Sequence, residues 1–390
     1  MNKTIEKADT DVISVIDEFD YSTQSDSYNK SFIAWRKNKK NPYAYNFTLH
    51  KKESVYIDGK GFVNDSAADA EASVMSRLLS LIGIAMLIIV AIENVFGMVL
   101  VQILDAVGVD VHNAFFNSVI YGGCREVAMV LIIITSLKLL IPMIIMRTQL
   151  RMPLKNSVPF TTKNSLELIA AIAAALIVSV IMGIPDVFYS DSAEVYEFFG
   201  QYNADMSPWG QDEFLIYSFF DVIVVSVLFE ILFRGAMFTA LRQFGDIYAI
   251  VITSVVSGLV MQDLDAMPGV MAISVIASIG MLRSGTILTP ILVKIVYKMY
   301  MFALAIFRMS DADIMPLERS AFMIIVFAAG IVIFALTLVP GKLREERFFA
   351  KYTCHIPRKG QVHVTLRVFI FTASVSLCLL VAVMSAVLHI

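Results

Sequence analysis

The sequence has little charge and little cysteine for its length. Of its 390 residues, 17% are charged and 57% are hydrophobic, whereas about a quarter of the residues in soluble globular chains are charged. Its three cysteines, Cys124, Cys354 and Cys378, lie far apart without a CxxC motif. These features exclude a single soluble domain, a disulfide-stabilised scaffold and a dithiol redox site. The formal net charge of −3 argues against a nucleic-acid-binding protein with a broad basic face.

The first part of the chain differs in composition from the rest. Residues 1–26 carry seven acidic side chains and are followed by a basic segment around Phe32 and Trp35. An apolar signal-peptide core is missing there. We predict that residues 1–73 form a cytoplasmic tail that is solvated and partly disordered, although the basic segment could instead rest on an anionic membrane surface. The Asp-Gly pair at 58–59 predicts the turn of a β-hairpin.

Long apolar runs fill residues 74–390. Most of them approach the roughly 20 residues that cross a bilayer as a helix, so we predict an all-α, polytopic transmembrane helix bundle of about eight to nine spans. The polar residues within 93–118 leave open whether that stretch crosses the membrane or bends along its surface. The predicted spans are approximately 78–102, 119–146, 166–184, 214–240, 247–263, 267–282, 287–307, 320–340 and 367–388.

The charges of the connecting segments predict an orientation. The connections at 147–163 and 342–359 are basic, whereas the connection at 185–213 has seven acidic residues and neither Lys nor Arg. The positive-inside rule therefore places the N-terminus and both basic connections in the cytoplasm. Nine spans would then place the C-terminus outside.

Ionisable residues inside the apolar runs mark a candidate site, because charge at membrane depth is costly and is commonly functional. Glu230 and Arg234 lie four residues apart on the fourth run, and Lys294 and Lys298 lie four apart on the seventh. Each pair therefore shares one helix face. Glu230 and Arg234 can pair on their own helix, whereas the two lysines need another span, a water-filled cavity or a lipid headgroup.

The sequence around these charges resembles the CAAX-protease and bacteriocin-processing (CPBP, or Abi) family of intramembrane proteases. The EExxxR-glycine motif of that family corresponds to residues 229–235, and its SSxxFGxxH motif corresponds to residues 253–261. An R-T-G-S-like turn corresponds to residues 283–286, and the HxxxN motif corresponds to Lys294 and Lys298. All four landmarks keep the order and spacing of the family.

The resemblance covers about 210–305. It implies a protease-like core at about 160–310, with additional C-terminal spans at 320–340 and 367–388. The short loops, and the likeness to a largely prokaryotic branch of the family, predict a location in a bacterial plasma membrane.

The catalytic residues of the family are mostly replaced. The resemblance assigns the first glutamate as the base that activates water, and two histidines and an asparagine to a metal or oxyanion centre. Glu230 and Arg234 match the family, and the four replaced positions are Phe229, Met261, Lys294 and Lys298. Phenylalanine cannot accept a proton, and methionine with lysine is a poor donor set for zinc. We therefore predict that no catalytic set is intact and that the protein holds no metal or other cofactor.

These observations predict a catalytically degenerate family member in contact with membrane lipid. It would bind a peptide or another membrane protein, and not nucleic acid. Two alternatives stay open: an active endopeptidase for prenylated or leader peptides that uses Glu230, and an anion or small-molecule transporter that uses Lys294 and Lys298.

Two expectations concern individual side chains. Glu230 should face Lys294 or Lys298 across the former active site, which would convert a catalytic centre into a structural charge network. Of the polar residues Gln262, Asp263 and Asp265, just after the second motif, the two aspartates could supply carboxylates near the site, but we expect all three to cap their helix and face water.

Overall fold

A computed structural model describes residues 24–38, 40–44, 54–57, 61–64, 67–113, 120–161, 164–183, 211–309, 316–338 and 356–388. Within these ranges the chain is a helix bundle with two short antiparallel hairpins. Seven of the described helices are long and apolar enough to cross a membrane. The predicted all-α, polytopic transmembrane fold is confirmed.

The elements before residue 183 form the first half of the bundle. A hairpin surrounds residues 58–60, as the Asp-Gly pair predicts. The elements are α1 (Asp26–Arg36), β1 (Ser54–Ile57), β2 (Gly61–Asn64), α2 (Ala67–Ala91), a π-helical segment (Ile92–Phe96), α3 (Gly97–Ala106), β3 (Val111–Asn113), β4 (Ile120–Gly122), α4 (Cys124–Leu150), α5 (Leu154–Ser157) and α6 (Ser165–Met182).

The elements from residue 211 onward contain the predicted protease-like motifs. They begin with one long helical stretch, residues 211–244, here called the site helix. Its parts are α7 (Gln211–Phe219), a π segment (Phe220–Val225), α8 (Ser226–Glu230), a second π segment (Ile231–Phe238), α9 (Thr239–Leu241) and a 3₁₀ turn (Arg242–Phe244). The later helices are α10 (Asp246–Leu259), α11 (Ala266–Ser284), α12 (Leu288–Met309), α13 (Pro316–Leu338), α14 (Arg358–Arg367) and α15 (Phe369–Leu388).

Most predicted spans coincide with these helices. Seven of the nine correspond to the described candidate spans, including the two additional C-terminal ones. The predicted span at 247–263 is wrong in length, because α10 has only 14 residues and a crossing needs roughly 20. The stretch from residue 93 to Ala106 continues the first span as a helix, so it does not bend along the surface there.

Part of the predicted tail packs against the bundle. Phe32 on α1 is fully buried, and the Trp35 indole N–H donates to the backbone carbonyl of Leu150 at 2.8 Å. The expectation of a solvated segment is therefore wrong for the aromatic face of α1. Residues 1–23 lie outside the described residues.

Two of the three connections that predict the orientation lie mostly outside the described residues: the acidic one and the second basic one. The parts outside are residues 184–210 of the acidic connection and residues 339–355 of the second basic one. The orientation of the bundle therefore stays a prediction.

Candidate functional site

The candidate site lies between the site helix and α12. The Lys298 ammonium contacts Asp221, and the Lys294 ammonium lies over the ring of Phe229. Asp221 comes before Phe229 in the sequence, but Lys298, the partner of Asp221, comes after Lys294, the partner of Phe229. The two helices therefore run antiparallel. This brings the positions of the EExxxR motif and the HxxxN motif together, as the resemblance predicts.

Two π-helical segments flank Glu230 on the site helix, at residues 220–225 and 231–238. A π turn aligns residues five apart, and such segments are frequent at functional sites. Asp221 and Ser226 have this spacing, and both are buried. The sequence carries no simple signal for these wider turns, because apolar periodicity predicts only the ordinary helix.

Glu230 pairs with Arg234 on its own helix. The Arg234 Nε atom lies 3.2 Å from Glu230 Oε2, and Nη1 donates to Oε1 at 3.4 Å. The 3.2 Å approach lacks hydrogen-bond alignment, so Oε2 has no hydrogen-bond partner among the described residues. Both side chains are at most 1% exposed. This is the ion pair at i, i+4 that the sequence left open.

A serine cluster fixes the other side of the guanidinium. Arg234 Nη2 donates to the carbonyl of Ser274 at 2.8 Å and also to its hydroxyl. The Ser257 hydroxyl donates to the Ser274 hydroxyl at 2.7 Å. Ser257 belongs to the second motif, so Arg234 connects the first two motifs through α11.

Lys294 contacts aromatic rings. Its ammonium lies 4.3 Å from the ring centroid of Phe229 and 5.7 Å from that of Tyr297. No acidic side chain among the described residues lies within 4 Å of it, although Glu230 is close enough to interact electrostatically. The close ionic contact of Glu230 is therefore with Arg234, and its interaction with Lys294 acts over a longer distance.

Lys298 has an acidic partner that the sequence analysis missed. Its ammonium donates to the Asp221 carboxylate at 2.6 Å and to the Asp221 carbonyl at 3.2 Å. Asp221 is an acidic residue within the predicted span 214–240, which was a usable signal. Asp221 lies nine residues before Glu230, outside the EExxxR motif, so the motif did not indicate its pairing with Lys298.

The second motif ends in a turn that contains Met261, at the position of the first family histidine. Met261 is half-buried and packs against the main apolar core. The next residue, Gln262, adopts a left-handed φ of 55° and is buried. It therefore does not face water as expected, whereas the carboxylate of Asp263 caps the following turn by accepting from the backbone N–H of Asp265 at 2.9 Å.

Gln262 belongs to a second buried polar cluster, here called the Glu93 network. Its amide donates to one Glu93 oxygen at 2.7 Å, and Lys138 donates to the other at 2.6 Å. Asn94 donates to the Gln262 oxygen at 2.7 Å. In the sequence, Glu93 is one of the polar residues that interrupt the apolar pattern of 93–118. Lys138 lies inside the predicted span 119–146 and was an unused signal, because a lysine inside an apolar run is costly.

The turn at 283–286 forms as the motif predicts. Gly285 ends α11 with a φ of 74°, a conformation that favours glycine at a helix C-terminus. Arg283 pairs with Glu167 at 2.8 Å, and the Thr286 hydroxyl donates to the Pro159 carbonyl at 3.1 Å. These contacts fasten the start of α12 to neighbouring segments.

The residues at the four replaced positions do not fit a zinc ion. Phe229 supplies no donor atom, Met261 supplies only a soft thioether, and the two lysines bind a metal only when neutral. No group of three or more His, Cys, Asp or Glu side chains suited to a metal occurs among the described residues. We therefore derive no chemical step through a metal.

Residues 211–300 match one known family, described as type II CAAX prenyl endopeptidase Rce1-like. The match contains the site helix, the second motif, the 283–286 turn and both lysines. No curated protein and no solved structure matches the chain.

Proposed function

We propose that this chain is a membrane protein of the CAAX-protease-like family that has lost peptidase activity and that binds a peptide or another membrane protein at the former active site. The observation that carries the proposal is the replacement of the family's base by Phe229. The ring of Phe229 stacks on Phe233 at 4.2 Å between centroids, and the Lys294 ammonium covers it. A water molecule there would meet no proton acceptor at this position.

The retained glutamate is poorly suited to replace that base. Glu230 is held by Arg234, and Arg234 is held in turn by Ser274. A general base must reach the water that it activates and accept its proton. The Glu230 side chain is only 1% exposed, so bulk water does not reach its carboxylate.

The test is a peptidase and binding assay on the full chain in proteoliposomes. We expect neither a prenylated CAAX peptide nor a leader peptide to be cleaved, and we expect at least one of them to bind saturably. Glu230→Gln is the matched control, because any cleavage by a contaminant would persist in it. Cleavage that disappears in Glu230→Gln would overturn the proposal and support the active-peptidase alternative.

We also propose the predicted orientation, with the N-terminus in the cytoplasm of a bacterial plasma membrane. In a variant lacking the three native cysteines, cysteine at position 192 should react with an impermeant thiol reagent in intact cells. Cysteine at position 155 should react only after the cells are opened. The reverse pattern would overturn the orientation.

A further inference from the structure

The site between the site helix and α12 has one more buried positive charge than negative charge. Two of its cations have acidic partners, since Lys298 contacts Asp221 at 2.6 Å and Arg234 approaches Glu230 at 3.2 Å. Three basic side chains against two acidic ones leave a formal excess of one. Lys294 is the cation that remains.

The Lys294 ammonium has three N–H donors, but it lacks hydrogen-bond acceptors among the described residues. The side chain is 3% exposed, and no hydrogen-bond acceptor from a described residue is within reach of its ammonium. The rings of Phe229 and Tyr297 attract the charge from their faces. They offset only part of the cost of burying an ammonium without an acceptor.

A second polar group, on the helix that contacts α12, also lacks a hydrogen-bond partner in the described part of the chain. Ser226 lies between Asp221 and Phe229 on the site helix and is fully buried. Its hydroxyl has no hydrogen-bond partner among the described residues. Buried hydroxyls are normally satisfied, and an exception needs an explanation such as a ligand.

We propose that Lys294 binds the anionic group of a ligand, a carboxylate or a phosphate, with the Ser226 hydroxyl as an auxiliary donor. This rests on the proposed function and specifies the chemistry of the ligand at that site. Charge-assisted hydrogen bonds from an ammonium to such oxygens are short and strong. A single negative charge fits best, because Glu230 and Asp221 would repel a second one.

The anion could belong to a lipid, to a fatty acid or to a small soluble molecule. Thermal unfolding of the full chain in neutral detergent distinguishes these sources with three probes: oleate, phosphatidylglycerol and inorganic phosphate. A ligand that binds the folded state raises the midpoint Tm in proportion to the logarithm of its concentration above Kd. We expect a rise of this logarithmic form with at least one probe and none with phosphatidylcholine.

Substitutions localise the effect. Lys294→Met should weaken the apparent affinity at least about tenfold, because a hydrogen bond to a charged group is lost. Lys294→Arg should retain the response. Lys138→Met removes a buried lysine of the Glu93 network and should leave the apparent affinity unchanged, even if it lowers the starting Tm.

A measurement on the unaltered protein covers the case in which Lys294→Met does not fold. The effective probe should slow acylation of Lys294 by an amine reagent, read by mass spectrometry, with Lys138 as the internal reference. The inference is overturned if no probe raises Tm, or if the response is the same in Lys294→Met. Glu230-dependent peptide cleavage with a Lys294-dependent Tm rise would overturn the proposed function alone.

Discussion

Two buried lysines in this bundle have opposite surroundings. Lys138 donates to one oxygen of the Glu93 carboxylate at 2.6 Å, and Gln262 donates a hydrogen bond to the other oxygen. Lys294 lies over the ring of Phe229 without an acidic side chain within 4 Å among the described residues. The first lysine belongs to a closed structural cluster, and the second has donors left for a ligand. Both lysines lie in apolar runs, so that position does not distinguish their roles. The groups that contact each ammonium do.

The largest expected effect separates these two lysines. Lys138→Met leaves the Glu93 carboxylate buried without its cation, which should lower the free energy of unfolding by about 3–5 kcal/mol. Lys294→Met removes mainly contacts with aromatic rings and should cost at most about 2 kcal/mol. Denaturant unfolding in detergent, followed by tryptophan fluorescence, measures both. Equal losses would show that Lys294 also depends on a protein carboxylate.

Removing the acidic partner of Lys298 should leave its ammonium without a contacting carboxylate, as in Lys294. Asp221→Asn deprives the ammonium of a charged acceptor and should destabilise the protein by about 1.5–3 kcal/mol. The cost is below that of Lys138→Met, because the side chain left without its partner is Lys298, which is 16% exposed and can redirect its ammonium, whereas Lys138→Met leaves Glu93, which is 4% exposed. Unfolding of Asp221→Asn, with Asp221→Asn combined with Lys298→Met as control, tests this. The double variant should recover part of the loss.

A double-mutant cycle measures which cation Glu230 depends on. Glu230→Gln and Arg234→Met should couple by about 1–2 kcal/mol, because the two side chains touch. Glu230→Gln and Lys294→Met should couple less, since their interaction acts over a longer distance. Stronger coupling to Lys294 than to Arg234 would restore the pairing expected from the sequence.

The sequence predicts the fold well because span length and apolar content are local properties. Seven of the predicted spans and the 283–286 turn follow from residues that are close together in the chain. The partners of the buried charges depend on contacts between distant segments and on the π turns of the site helix. Lys138 lies 45 residues from Glu93, and Lys298 lies 77 residues from Asp221. Spacing alone could therefore predict the Glu230–Arg234 pair but neither of these.

The smallest expected effect concerns His112, which lies outside the apolar helices. His112 lies 3.1 Å from Asp105 and 3.2 Å from Asp110. The hydrogen bond to Asp105 raises the pKa of His112 above its ordinary value. The stabilisation is therefore complete below the unfolded-state pKa of about 6.5 and is lost as pH rises through the folded-state pKa.

Thermal midpoints at about pH 5 and about pH 8 check this contribution. The difference between the two midpoints should shrink slightly in His112→Gln, because glutamine does not titrate. The same comparison in Lys138→Met should keep the dependence of the unaltered protein. A dependence that is identical in His112→Gln would assign it to other groups.

The attachment of α1 has a mechanical consequence for the bundle. The carbonyl of Leu150, at the end of α4, accepts from both Trp35 and Asn41, and Gln243 at the end of the site helix donates to the carbonyl of Tyr43. A pulling force applied to the N-terminal segment would therefore be transmitted directly to the ends of two membrane helices. Deleting residues 1–44 would instead remove these contacts from both helix ends.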